Sequence, residues 1–130
     1  MGDFANSRAV SASGLRAQAQ RLRHVSENIA NADTPGYRRK TVSFETMMDR
    51  ESGMAGVETG RVNLDRSELR RIFDPSNPLS DETGQYDGSN VDLIIEMADA
   101  REAQRSYEAN LKMFDQARQM SAGLMDLLRR

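Results

Sequence analysis

Leu93, Ala100, Tyr107, Phe114, Ser121 and Leu128 recur every seven residues, and no proline interrupts the chain between Val91 and Arg130. A sustained seven-residue repeat specifies a helix that lays one narrow stripe along a partner helix. Met97, Leu111, Ala117 and Leu124 fill in beside that stripe. The pattern predicts helix over 91–128, roughly 57 Å long at 1.5 Å per residue, which is more than a small domain needs for its own core.

A second periodic segment lies at the other end. Ala5, Ala9, Ala12, Leu15, Ala19, Leu22, Val25 and Ile29 recur at steps of three and four, which predicts a helix over 3–31 with one apolar face. Its alanines permit close backbone approach by a partner. Gly14 sits inside it and costs about 1 kcal/mol relative to Ala in a helix interior. The stop signal is Asn31-Ala32-Asp33-Thr34-Pro35-Gly36: Pro35 disfavours the helical region at Thr34, and Gly36 permits a positive φ.

Between the helices the chain is irregular. Thr41–Phe44 reads as a short strand, Glu51–Gly56 as a loop, and Val57–Leu64 and Leu69–Phe73 as strands of a small hairpin or sheet. Asp74-Pro75-Ser76-Asn77-Pro78 and Asp87-Gly88-Ser89-Asn90 are rich in turn residues. The apolar content of this middle is thin, so it is expected to take its order from packing on something else. The fold class expected is mainly α: long N- and C-terminal helices packed as a coiled-coil-like pair with a small irregular or β-containing middle. The expected divisions of this single structural domain are 1–36, 37–90 and 91–130.

Composition narrows the chemistry. The 130 residues include four Phe, three Tyr and no Trp, too few large side chains to anchor a deep globular interior. There is no Cys, which removes disulfides, thiol nucleophiles and Cys-based metal sites. Residues 1–40 hold seven Arg/Lys against three Asp/Glu, and the remainder holds eleven against seventeen. Such asymmetry suits head-to-tail contacts between copies, but on charge alone two differently charged solvated faces are the better reading. The longest strongly apolar run is Leu93-Ile94-Ile95, so no membrane span is expected. Met1–Asn6 lacks a basic start followed by an apolar stretch, so no cleaved signal peptide is expected.

Few residues invite a catalytic reading. His24, the only histidine, has no Cys or matching carboxylate set and reads as a partly exposed helix residue. Asp81, Glu82, Asp87 and Asp92 gather acid across a loop, but their spacing does not fit a calcium loop. No phosphate-binding Gly loop or Ser/His/Asp set is present. Arg38-Arg39-Lys40 lacks the wider basic, aromatic-bearing surface of a nucleic-acid binder and reads better as a partner for acid on a neighbouring subunit. The expectation is a non-enzyme without cofactor, metal or nucleic acid.

Two stretches then carry a resemblance. Ser13-Gly14-Leu15-Arg16-Ala17-Gln18, followed by Asn28-Ile29-Ala30-Asn31-Ala32-Asp33-Thr34-Pro35-Gly36-Tyr37, resembles the N-terminal signature of flagellar rod, hook and hook-associated proteins. Asp74–Pro78, Asp81–Gly84, Asn90-Val91-Asp92, Glu96-Met97, Arg105–Asn110 and Gln119-Met120 are similar to the FlgC type of proximal rod protein. Gly88-Ser89 stands where that type more often has a Pro, and Asp-Gly before Asn-Val is also found in the sister FlgB type.

The resemblance implies a structural subunit of the bacterial flagellar basal-body rod. Such subunits are exported without signal cleavage and polymerise in the periplasm through their terminal helices into a torque-transmitting shaft. Implied partners are other copies, other rod proteins, an export-gate adaptor at the rod base and surrounding ring proteins. A FlgB-like rod protein and a soluble helical adaptor are the alternatives. The assembly interface is expected at Leu15, Leu22, Val25, Asn28, Ile29, Asn31, Pro35, Gly36 and Tyr37 on the first helix and turn. On the second helix it is expected at Met97, Tyr107, Asn110, Leu111, Phe114, Met120 and Leu124.

Overall fold

The computed structural model describes residues 2–48 and 53–129. Helix α1 (Gly2–Ala30) is followed by strands β1 (Lys40–Met48), β2 (Ala55–Leu64), β3 (Arg71–Phe73) and β4 (Gln85–Asp87), then by helix α2 (Leu93–Arg129). Two long helices thus flank a small β-containing middle, as the periodicity predicts.

The helices run antiparallel. Asn28 meets Glu96, Arg21 meets Asp99 and Glu102, and Gly14 lies against Asn110. Phe4 and Val10 share a groove with Met113 and Met120 at the far end. We call the end holding Asn28 and Glu96 the head and the opposite end the tail.

The seam differs in phase from the apolar pattern. On α2 its centre is Glu96, Ala103 and Ala117, all buried, with Asn110 and Leu124 half-buried in the same seven-residue register. Ala100, Tyr107, Phe114 and Ser121 flank it half-buried, whereas Leu93, Met97, Leu111 and Leu128 are exposed. On α1 the buried residues are Ser11, Ser13, Gly14, Ala17, Val25 and Asn28, while Ala5, Ala9, Ala19 and Ile29 are exposed. Small side chains let the backbones approach. A Cβ on Gly14 would stand 2.7 Å from Asn110 Oδ1, so the glycine that weakens the isolated helix makes the crossing possible.

The helix ends follow from their caps. Asn31 Nδ2 donates to the Glu27 carbonyl at 2.8 Å and Thr34 Oγ1 to Asn31 Oδ1 at 3.1 Å. The Glu27 carbonyl also accepts the Asn31 N–H, the Ile29 carbonyl accepts the Ala32 N–H, and the Thr34 bond holds the Asn31 side chain in place. Gly36 then takes φ 74°, and its N–H reaches the carbonyls of Asp87 and Gly88. Helix α2 starts after Asp92, whose Oδ1 accepts the Ile94 N–H at 3.0 Å, the usual role of an N-cap carboxylate.

Strands β1 and β2 form an antiparallel hairpin in the register Lys40↔Leu64 to Met48↔Ala55, with a bulge between Val42 and Phe44. The hairpin leans on α1: the Val57 N–H donates to Ser13 Oγ at 3.0 Å, and Thr59 Oγ1 donates to Gln20 Oε1 at 2.5 Å. Two expectations are corrected here. Val57–Leu64 and Leu69–Phe73 do not pair with each other; β2 pairs with β1, and β3 pairs with β4. Of the loop expected over Glu51–Gly56, Ala55 and Gly56 belong to β2, Gly53 and Met54 are loop, and the first two residues lie outside the described part.

Candidate assembly site

The head is organised around two polar side chains with no solvent exposure, Asn28 on α1 and Glu96 on α2. Asn28 uses its whole hydrogen-bonding capacity. Its Nδ2 donates to the Lys40 carbonyl at 2.9 Å and to Glu96 Oε2 at 3.2 Å. Its Oδ1 accepts the Tyr37 hydroxyl and the Lys40 N–H, each at 2.8 Å. A buried amide is tolerated only when satisfied in this way. The other Glu96 oxygen accepts Arg39 Nε at 2.6 Å, a charge-assisted bond that offsets the desolvation of a fully buried carboxylate.

Arg39 gathers three acids: Glu96, Asp99 at 3.1 Å and Asp65 at 3.8 Å. Burial acts to lower the guanidinium pKa, but the Glu96 bond and the surrounding negative charge outweigh it and hold the pKa above the usual arginine value. Burial raises the Tyr37 hydroxyl pKa. The Lys40–Glu27 pair, at 2.8 Å, moves its members apart: the hydrogen bond lowers Glu27 and raises Lys40. Asp65 is lowered chiefly by the Ser67 N–H and hydroxyl.

The Arg38-Arg39-Lys40 triplet therefore does not wait for acid on another subunit. Arg39 and Lys40 pair within the chain, and Arg38 donates to the carbonyls of Asp65 and Ser67. Asn90 completes the junction. Its Oδ1 accepts the Arg39 N–H at 2.7 Å, and its Nδ2 donates to the Asp65 carbonyl at 2.9 Å. Ser89, nearly fully buried, bonds the Ala32 carbonyl. The end of α1, the base of the hairpin and the start of α2 are thus fastened by one connected polar network.

The acidic loop residues have local roles. Asp81 accepts from the Thr83 hydroxyl and N–H and from the Gln85 N–H, and pairs with Arg71 at 2.6 Å. These contacts, the Thr83 hydroxyl first, lower its pKa to about 2. Asp87 also binds Arg71, and these two acids raise the arginine pKa. Among the described residues no group of His, Asp and Glu is arranged to hold a metal ion, and no helix is long and apolar enough to cross a membrane. His24 lines a cleft of about 240 Å³ beside Arg21, Arg39 and Asp99. Its Nδ1 is 4.0 Å from Glu27 Oε2 and makes no hydrogen bond.

The expected interface residues fall into two sets. Val25 and Asn28 are buried between the helices, and Leu15, Leu22, Asn31, Tyr37, Tyr107, Asn110, Phe114 and Leu124 are half-buried within the subunit. Ile29, Met97, Leu111 and Met120 remain 40–53% exposed, and Pro35 and Gly36 in the turn are exposed too. Glu96, Arg39 and Asn90, central to the junction, were not among the expected site residues. The register Glu96, Ala103, Asn110, Ala117, Leu124 was present in the sequence, but its polar members hide it from an apolar count.

Both halves of this architecture match known families. Residues 9–38, which take in α1 from Ala9 onward and the turn after it, match the family model described as flagella basal body rod protein. Residues 83–127 match the one described as flagellar basal body rod FlgEFG protein C-terminal. The two matches place the chain in the flagellar rod class. The chain is 47% identical over 127 residues to the flagellar basal-body rod protein FlgC of Agrobacterium fabrum, covering 92% of this chain and 91% of that protein. The FlgC of Escherichia coli is 32% identical over 117 residues (85% and 87% covered), and that of Bacillus subtilis 36% over 124 (78% and 83%). The chain belongs to the FlgC family of flagellar basal-body rod proteins, and its role is structural: a subunit of the basal-body rod.

Proposed function

We propose that this subunit polymerises through its two terminal helices into the proximal part of a tubular shaft that transmits motor torque. The observation that supports it is the division of apolar side chains on the helices. One set closes the helix pair, coiled-coil-like in its seven-residue register, and the other, Ile29, Met97, Leu111 and Met120, is left at 40–53% exposure. Exposed apolar surface along a helix pair is what heterologous packing between copies consumes. The polar head junction gives torque a stiff connection between α1, hairpin and α2, because breaking its bonds leaves the buried Glu96 carboxylate without its partners.

Export without a cleaved signal, a periplasmic position, and contacts with other rod proteins, a rod-base adaptor and ring proteins complete this reading. The test is Met97→Asp paired with Leu111→Asp. Both sites are exposed, so the monomer stays folded by circular dichroism. Rod assembly in cells is lost while secretion of the unassembled subunit continues. Normal rods carrying both substitutions overturn the interface.

A further inference from the structure

Polar bonds fasten only one half of the helix pair. Among the described residues, every hydrogen bond and ion pair between α1 and α2 is made by Arg21 or Asn28 on α1, with Glu96, Asp99 and Glu102 on α2. From Gly14 to the tail the two helices are held by packing alone. The tail groove, about 360 Å³, is where α1, α2 and the loop before β2 meet.

The lining of that groove is rich in thioethers. Met54 comes from the loop and Met113 and Met120 from α2, and they share the groove with Phe4 and Val10 of α1. The three methionines are 37%, 60% and 49% exposed. Each side chain therefore contributes apolar contact to the groove while staying within reach of small solutes. Methionine fills such irregular gaps well, but oxidation turns it into a polar sulfoxide that disrupts methionine-rich contacts. The chain has no cysteine, so no thiol competes for an oxidant.

We propose that Met54, Met113 and Met120 form an oxidation-sensitive latch, whose conversion to sulfoxides by hydrogen peroxide frees the tail half of α1 from α2. In each conversion a sulfur lone pair attacks one peroxide oxygen, the O–O bond breaks and an S=O bond forms. The sulfur loses two electrons, the peroxide gains them, and water leaves after a proton shift. The new oxygen keeps its water, so the side chain withdraws from Phe4 and Val10. The Asn28–Glu96–Arg39 junction contains no sulfur and holds the head closed. Met97 supplies an internal control: it is 53% exposed, in a hollow lined by α2 alone, so its oxidation removes no contact between the helices.

The test treats the full chain with peroxide. Peptide mass spectrometry reads the conversion of each methionine, and amide hydrogen exchange reads residues 7–13 and 25–30. Conversion at Met54, Met113 and Met120 is expected to speed exchange over 7–13 roughly tenfold and to leave 25–30 unchanged. Methionine sulfoxide reductases restore the original rate. The variant Met54→Leu, Met113→Leu, Met120→Leu conserves side-chain volume, and its exchange is expected to ignore peroxide although Met97 is still converted. Unchanged exchange in fully oxidised wild-type chain overturns the latch, and that arm decides even if the variant does not fold. Equal speeding in the folded variant, or speeding that extends through 25–30, overturns it as well.

Discussion

Asn28 of α1 and Glu96 of α2, each with no solvent exposure, meet at 3.2 Å across the helix pair. An apolar pair here would hold the helices together without fixing their register. This amide–carboxylate contact, extended through Tyr37, Arg39 and Lys40, satisfies all its bonds in one register only.

Asn28→Ala is expected to destabilise the subunit by about 2–4 kcal/mol. It leaves the Tyr37 hydroxyl and the Lys40 N–H without their acceptor, and removes one donor from Glu96. Urea unfolding followed by circular dichroism measures this. A loss below about 0.5 kcal/mol means water replaces the amide and the junction is not the clamp described.

Arg39→Ala is expected to cost about 3–5 kcal/mol, because it strands a buried carboxylate. The double variant Arg39→Met with Glu96→Leu should recover part of that loss: it removes the stranded charge but leaves one Asn28 Nδ2 hydrogen without its acceptor. A double variant less stable than Arg39→Ala contradicts the role given to the buried charge.

The two helices were legible because their apolar residues keep period, and because Pro35-Gly36 and Asp92 punctuate their ends. The hairpin was half legible: alternation marked its strands, but their pairing across the chain follows from packing on Ser13 and Gln20, which no local pattern records. Gln85–Asp87 is too short to announce a strand. The seam was misphased for a physical reason. Its closest approaches use Gly14, Asn28, Glu96 and Asn110, and a search for apolar stripes passes over such residues. The Arg38–Lys40 triplet misled in the same way, since its acid partners, Glu27, Asp65, Glu96 and Asp99, are brought to it only by the fold.

Helix propensity alone says that Gly14→Ala stabilises by about 1 kcal/mol. The 2.7 Å approach to Asn110 Oδ1 predicts that the gain vanishes, because Asn110 must turn away and abandon its bond to the Ser106 carbonyl. Adding Asn110→Ala should make room for the new methyl group. In a thermal double-mutant cycle the two substitutions are expected to couple favourably; strict additivity contradicts the close contact.

Acid should loosen the loop that Asp81 organises. The Asp81 pKa is depressed to about 2 in the folded chain. The stability it contributes is complete above the unfolded value near 4 and is lost as pH falls toward 2. Carboxyl chemical shifts should place its midpoint near 2. The amide protection of Gln85 should fall across that window in the native chain and show no such step in Asp81→Asn.

We propose a rod subunit whose helix pair, fastened at the Asn28–Glu96 junction, builds the shaft through its exposed apolar surface. Cryo-electron microscopy of isolated basal bodies tests this most directly. The expected density shows α1 and α2 antiparallel within each subunit, with Met97 and Leu111 buried against neighbouring subunits. Rods in which these side chains stay solvent-facing, and only the β1–β2 hairpin joins one subunit to the next, would contradict it.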